Sequence, residues 1–258
     1  MLVHGNPTWS FHYRKLVKAL RTNFRAIAPD HIGCGRSDKP TAQDYRYTLA
    51  QRVEDLTRLV DDLELERVHL VVHDWGGMIG MAWAVANPDR VDRVVVLNTS
   101  AFPLPKSKRM PASLKLARTP GLGAALVRGL NLFSLGANRT CVTKKMAAAT
   151  AAGYLAPYDS WADRVAVHEF VRDIPLTPAD PSWAVVEQTA DQLHRLADKP
   201  MAIYWGAKDF VFDHHFLAEW RERFPDAQVT EFPDAGHYVL EDAGDEIVPA
   251  VEQFLKGA

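Results

Sequence analysis

The chain has 258 residues, 47% of them hydrophobic and 24% charged, with a formal net charge of −2. That length suffices for one large domain, or one domain with an inserted subdomain, whose core needs neither disulfides nor metal. The near-neutral charge gives no global pull toward nucleic acid, and no apolar run reaches the ~18–20 residues of a membrane span.

Cys34 and Cys141 are the only cysteines, and two isolated cysteines read as free thiols rather than a pair. Neither a CxxC pair nor a His-Glu-x-x-His motif is present, so no metal and no cofactor is expected. The chain opens Met-Leu-Val-His-Gly, with no basic n-region and no long apolar h-region. The expected compartment is the cytoplasm. Leu2-Val3 resembles the tail of a strand that began earlier, since strands usually run ~5–6 residues. An upstream segment, including a targeting one, is therefore left open.

Strand and helix signals alternate along the chain. Phe24–Pro29 reads as a short strand. From Tyr47 to Leu63, apolar residues at Leu49, Val53, Leu56, Leu59, Val60 and Leu63 follow a helical spacing. Val68–Val72 is a strand, Gly77–Asn87 a helix stopped at Pro88, and Val91–Leu97 a valine-rich strand. Met201–Trp205 and Gln228–Phe232 read as strands, Phe212–Phe224 and Tyr238–Leu255 as helices. This βαβ alternation predicts an α/β fold, with a mostly parallel sheet covered by helices on both faces.

The alternation breaks between about Pro103 and Lys199, where helical patterns and prolines appear without a convincing strand. The reading is a core of residues 1–102 and 200–258, with residues 103–199 inserted as a helical cap over the carboxyl ends of the strands, where open α/β sheets bind ligands. Between Phe102 and Asp159 the cap holds nine Lys/Arg and no Asp or Glu. That is either a solvated basic face or a docking face for an acidic partner, such as an enzyme assembly, or a membrane surface.

Four short segments fall at predicted strand ends. They are His4-Gly5-Asn6-Pro7-Thr8-Trp9, His73-Asp74-Trp75-Gly76-Gly77, Trp205-Gly206-Ala207-Lys208-Asp209 and Asp234-Ala235-Gly236-His237. "VVHDWGGMIG" has the strand–turn–helix form that carries serine within Gly-x-Ser-x-Gly, but its central residue is Asp74. Asp74, Asp209 and His237 follow the order nucleophile, acid, histidine. Asp74 could instead be a helix N-cap, Asp213 could replace Asp209, and Trp75 could be plain core. Phe102, Trp161, Phe170, Phe210 and Phe212 are candidates for an apolar pocket, or for core. The Gly33-x-Gly35 loop lacks the further glycine and acid of a dinucleotide site and reads as scaffold.

Taken together, these segments resemble the α/β-hydrolase fold, and within it the aspartate-nucleophile branch that holds haloalkane dehalogenases and epoxide hydrolases. "HGNPTWS", "PDHIGCGRSDKP", "VHDWGGMIG", "LNTSAFPLP", "LAPYDSW", "DIPL", "WGAKDFVFD" and "DAGHYVLED" most resemble the β-lactone decarboxylases of bacterial long-chain olefin biosynthesis. The likeness runs from Leu2 to the last helix and departs at the amino end, where the family's first two strands are missing.

This resemblance implies that Asp74 is the nucleophile, His237 its base or proton relay, and Asp209 the acid that orients His237. Some relatives place that acid after the preceding strand, but neutral Asn98 stands there and cannot supply the charge. Asn6 and Trp75 match the donors that hold the departing halide in dehalogenases, and could hold a lactone or carboxylate oxygen. A carboxylate is already ionised at neutral pH and suits attack at an sp³ carbon or a strained ring.

The implied substrate is apolar and small, a cis-dialkyl β-lactone decarboxylated to a cis-alkene and CO2. The alternatives are haloalkane dehalogenation on the same residues and, third, epoxide hydrolysis with Tyr154 and Tyr158 as cap acids. A non-catalytic partner that docks through the basic cap is the alternative of another class.

Overall fold

In a computed structural model, which describes residues 1–257, the central strands of the sheet are short, nearly continuous apolar runs buried on both faces. Strands β1 (Leu2–Val3), β2 (Val68–Asp74), β3 (Val91–Thr99), β4 (Met201–Gly206) and β5 (Gln228–Phe232) lie in chain order and pair in parallel throughout. Helices α1 (Arg14–Leu20), α2 (Leu49–Asp62) and α3 (Trp75–Ala86) belong to the amino-terminal half. Between β3 and β4 come α4 (Ala112–Ala117), α5 (Leu122–Ala124, continued by a π turn over Ala125–Gly129), α6 (Leu132–Thr140), α7 (Ala148–Leu155), α8 (Val165–Arg172) and α9 (Trp183–Gln192). Helices α10 (His214–Arg223), α11 (Val239–Asp242) and α12 (Gly244–Lys256) complete the chain.

Successive strand residues point to opposite faces. Val3, Leu70, Val72, Val94, Val96, Ile203 and Trp205 therefore join one core cluster with α2, α3 and α10. Leu2, Val71, Val95, Leu97, Ala202 and Tyr204 join the other with α1, α11 and α12. Burying each such side chain contributes about 1.5–3 kcal/mol. Both faces being covered is what a parallel sheet requires, and it leaves the carboxyl strand ends as the place where polar groups can gather. Cys34 and Cys141 are free and buried. Among the described residues no helix is long and apolar enough to cross a membrane.

Two expected elements differ. Phe24–Pro29 forms no strand; it gives β1 one bond, Leu2 N–H to the Ile27 carbonyl at 2.8 Å. Pro29 lacks an N–H, and a two-residue β1 offers little edge to pair with. Tyr238–Leu255 is not one helix, because Ala243 leaves helical geometry at φ −127°, ψ 19° and separates α11 from α12. Just before that break the Asp242 carboxylate accepts from the backbone N–H groups of Gly236 and Thr143, tying the turn before α11 to the helical stretch between β3 and β4.

Candidate active site

Asp74 ends β2 and immediately precedes α3, with φ +52° and ψ −127°. A non-glycine residue held there costs about 1–3 kcal/mol, so the surroundings must over-determine it. They do. The Thr99 hydroxyl donates to the Asp74 carbonyl, and the Asn6 backbone N–H donates to Asp74 Oδ1 at 2.6 Å. The helix also starts close against β1, and a Cβ at Gly76 would collide with the Val3 carbonyl. Gly5 is equally constrained, since a Cβ there would strike the Asp74 carboxylate. The Asp74 side chain makes no helix-capping bond, so the N-cap alternative finds no support.

His237 follows β5 on the turn before α11. Its Nε2 lies 3.6 Å from Asp74 Oδ2 and its Nδ1 2.7 Å from Asp209 Oδ2. Asp209, in the turn after β4, is fixed on both oxygens. Oδ1 accepts from the backbone N–H groups of Val211 (2.7 Å) and Phe212 (3.1 Å), and Oδ2 also accepts from Asn98 Nδ2 at 3.0 Å. Asp213, the alternative acid, instead binds Lys108 and the His215 backbone N–H at the start of α10.

All three site residues are buried. Burial raises the Asp74 pKa above its ordinary value, with His237 and the Asn6 and Trp75 amides opposing the rise. Burial also works against charge on His237, but Asp209 and Asp74 outweigh it and hold that imidazole pKa above its ordinary 6.5. Two carboxylates flanking one histidine thus favour an imidazolium between them.

Asn6 and Trp75 both face the cavity that ends on Asp74 and His237. Asn6 Nδ2 donates one hydrogen to the Val167 carbonyl on α8 at 3.1 Å, which fixes the amide and leaves its second hydrogen free of that bond. Among the described residues, no protein acceptor takes the Trp75 indole N–H. The Trp75 ring packs against Phe170, with centroids 5.1 Å apart, and the Arg52 guanidinium lies 3.6 Å from the Phe170 centroid on α2's buried stripe.

The cavity measures about 460 Å³ and is walled by apolar side chains from the helical stretch between β3 and β4 and from the turns at the strand ends, Phe102, Phe210 and Phe212 among them. Phe170 and Trp161 are not in its wall. Phe170 is fully buried between Trp75 and Arg52. Trp161 lies half exposed under the Arg128 guanidinium, outside any helix. An aromatic residue signals burial but not which void it borders. The Gly33–Gly35 loop is spoken for: Asp30 at its base accepts from the backbone N–H groups of Ser10 and Arg36.

Three supporting residues escape sequence reasoning as positioning groups. Asn98 holds Asp209 and also bonds both the N–H and the carbonyl of Gly206. His73 Nε2 donates to the His237 carbonyl at 2.9 Å, and its ring stacks on His12. Arg52 could have been noticed as a lone cation among Leu49, Leu56 and Val60 on one helical stripe.

The profile of the alpha/beta hydrolase fold matches residues 1–244. The chain belongs to that family. Within the alpha/beta hydrolase fold it is 50% identical, over 99% of its length and 81% of the relative's, to a cis-3-alkyl-4-alkyloxetan-2-one decarboxylase of Shewanella oneidensis. The enzyme of the same name from Xanthomonas campestris is 47% identical, over 99% and 87% of the two chains. A haloalkane dehalogenase of Mycobacterium tuberculosis is 34% identical over 98% and 87%. Among solved structures, a putative ancestral haloalkane dehalogenase superposes with a TM-score of 0.89 at 25% identity, covering 99% and 90%.

Proposed function

We propose that this chain is a β-lactone decarboxylase that converts a cis-3,4-dialkyl oxetan-2-one to a cis-alkene and CO2, with Asp74 as nucleophile. The observation that carries this reading is the 50% identity over nearly the whole chain to a decarboxylase of that name, against 34% for a dehalogenase.

Asp74 attacks the sp³ ring carbon bonded to the ring oxygen, not the carbonyl carbon. The ring C–O bond breaks, and its electron pair becomes a free carboxylate on the opened chain. That carboxylate then leaves as CO2. The C–C electrons form the alkene as the ester C–O bond to Asp74 breaks, returning the Asp74 carboxylate. Atoms balance with no water consumed. Inversion at the ring carbon followed by anti fragmentation converts a cis lactone to a cis alkene. Attack at the carbonyl would instead leave an alkoxide and an anhydride, with no direct route to CO2.

The Trp75 N–H and the second Asn6 amide hydrogen suit the developing carboxylate; a preorganised donor of this kind is worth about 2.7–4 kcal/mol. The imidazolium of His237, oriented by Asp209, suits the returning carboxylate of Asp74. We read residues 103–199 as a cap, because its helices wall the cavity whose floor is Asp74.

Haloalkane dehalogenation is the second reading, favoured by the same residues and by the dehalogenase superposition. There His237 must act as a neutral base toward water on the Asp74 ester. Epoxide hydrolysis loses its acids. Tyr154 donates to Glu241 at 2.6 Å, Tyr158 lies 3.4 Å from the Thr8 carbonyl, and neither lines the cavity. A purely non-catalytic role fits poorly with a buried histidine held between two buried carboxylates.

The deciding experiment offers the purified protein a cis-dialkyl β-lactone and a long-chain bromoalkane separately. Alkene with little bromide is expected; bromide without alkene overturns the lactone reading.

The apolar mouth and the basic stretch of sequence that supplies part of its lining favour an anionic lipid surface as the place the substrate arrives from. Leu132 (49% exposed) and Phe210 (40% exposed) both line the cavity, and nine Lys/Arg without an acid precede Asp159. Cosedimentation with anionic vesicles that is lost at high salt is expected. No binding at low salt would leave an acidic protein partner as the use of that face. The two buried free thiols fit a reducing, cytoplasmic setting.

A further inference from the structure

Helix α6 crosses the cavity with one face. Leu132, Gly136 and Thr140 recur at every fourth residue along it, with Phe133 and Ala137 in the row beside them, and all five line the cavity. Residues four apart on a helix are surface neighbours, so each row is a continuous ridge. The inner ridge, Phe133–Ala137, continues to buried Cys141. The outer ridge runs between exposed Leu132 and exposed Thr140, and at its centre the side chain is missing.

Nothing in the backbone calls for glycine at 136. Gly136 is helical, and the glycines with positive φ are Gly33, Gly35, Gly121 and Gly257. Nothing in the packing calls for it either. A Cβ added at Gly136 would have no heavy atom within 4 Å. Gly153 on α7 is the contrast, since a Cβ there would collide with the Phe11 ring. Glycine is also among the poorest residues for a helix interior. The space itself is what remains to explain it.

We propose that Gly136 is a specificity-determining residue, a notch in the cavity rim through which the far end of an alkyl chain passes, so that residue 136 sets the chain length accepted. This rests on the reading that the substrate carries alkyl chains. Leu132 and Thr140 flank the notch, and Phe133 and Ala137 line the wall beneath it. Long chains need the gap; chains short enough to stay inside do not.

The test uses Gly136→Ala and Gly136→Leu in the full chain, with two readouts. The first is kcat/KM for a cis-dialkyl β-lactone with long arms, divided by that for one with short arms. The second is the Kd for 1-tetradecanol relative to 1-octanol, followed by quenching of tryptophan fluorescence. The long-to-short preference is expected to fall in the order glycine, alanine, leucine. For leucine the fall is roughly 10- to 200-fold, the range over which an apolar pocket discriminates single methylenes. Both variants are expected to melt no lower than the parent, because either residue favours the helix over glycine.

A long-to-short ratio equal to that of the parent in both variants would overturn the proposal, and so would equal losses on long and short ligands. If Gly136→Leu fails to fold, Gly136→Ala decides by the same ratios. Failure of the lactone reading looks different: the parent makes no alkene from any lactone, while the alcohol Kd ratio still shifts in the variants.

Discussion

The two sides of the cavity are built on opposite terms. At the strand ends, Asp74, Asp209 and His237 sit in turns whose backbone is fixed by the sheet, and both oxygens of Asp209 are bonded several times over. Across from them, the wall from α6 presents apolar side chains and one empty place at Gly136, where an added methyl would meet nothing. Chemistry demands a single geometry, so its side admits almost no substitution. Recognition of an alkyl chain demands only volume, so its side leaves slack.

The sharpest way to break this contrast is at the corner. Asp74→Ala is expected to bring turnover to background, a fall of roughly 10⁶-fold. Alkene or bromide release near the parental rate would place the nucleophile elsewhere. Trp75→Phe keeps an aromatic ring against Phe170 and removes the indole donor. It should lower kcat by about 10²–10³-fold while short- and long-chain substrates suffer alike. A chain-length-dependent loss would mean that Trp75 belongs to the wall rather than the corner.

The smallest expected effect, pH dependence, separates the two chemistries. The His237 pKa is held above 6.5, so the imidazolium persists to and beyond that pH. Fragmentation of a lactone adduct uses the imidazolium, so its rate should fall as pH rises through the His237 pKa, by up to about ten-fold per unit. Steady-state bromide release needs neutral imidazole and should rise over the same interval. Both should fall in acid as Asp74 protonates, at a pH above the ordinary aspartate range because its pKa is raised. Parallel profiles for lactone and bromoalkane would mean that His237 plays one role in both.

Legibility in the sequence divides along the same line. β5 is readable to the residue, and the segments that bring Asp74, Asp209 and His237 together are readable because turn glycines, strand ends and these polar side chains lie within a few residues of each other. The rest depended on distant contacts. Phe24–Pro29 has strand composition, but its one backbone bond to the sheet goes to the two-residue β1. Phe170 and Trp161 carry the same aromatic signal as Phe102 and Phe212, and only the packing of α8 and of the loop before it decides which of them meets the void. In the sequence Asn98 stands out only for the charge it lacks. Its actual work is to clamp Asp209 to Gly206, a link across β3 and β4 with no local sequence signature. The notch at Gly136 is the extreme case, since an absent side chain acquires meaning only when its surroundings are empty too.

The cavity mouth at Leu132 and Phe210 has a consequence for how fast a cycle can close. On the lactone reading, the alkene product retains both hydrocarbon arms of its parent lactone and has shed the group proposed to engage the polar corner. Walls that grip methylenes hold product almost as firmly as reactant, so in plain water departure would become the slow step. A lipid or detergent phase at the mouth acts as a sink, and its capacity for hydrocarbon would then govern steady-state throughput.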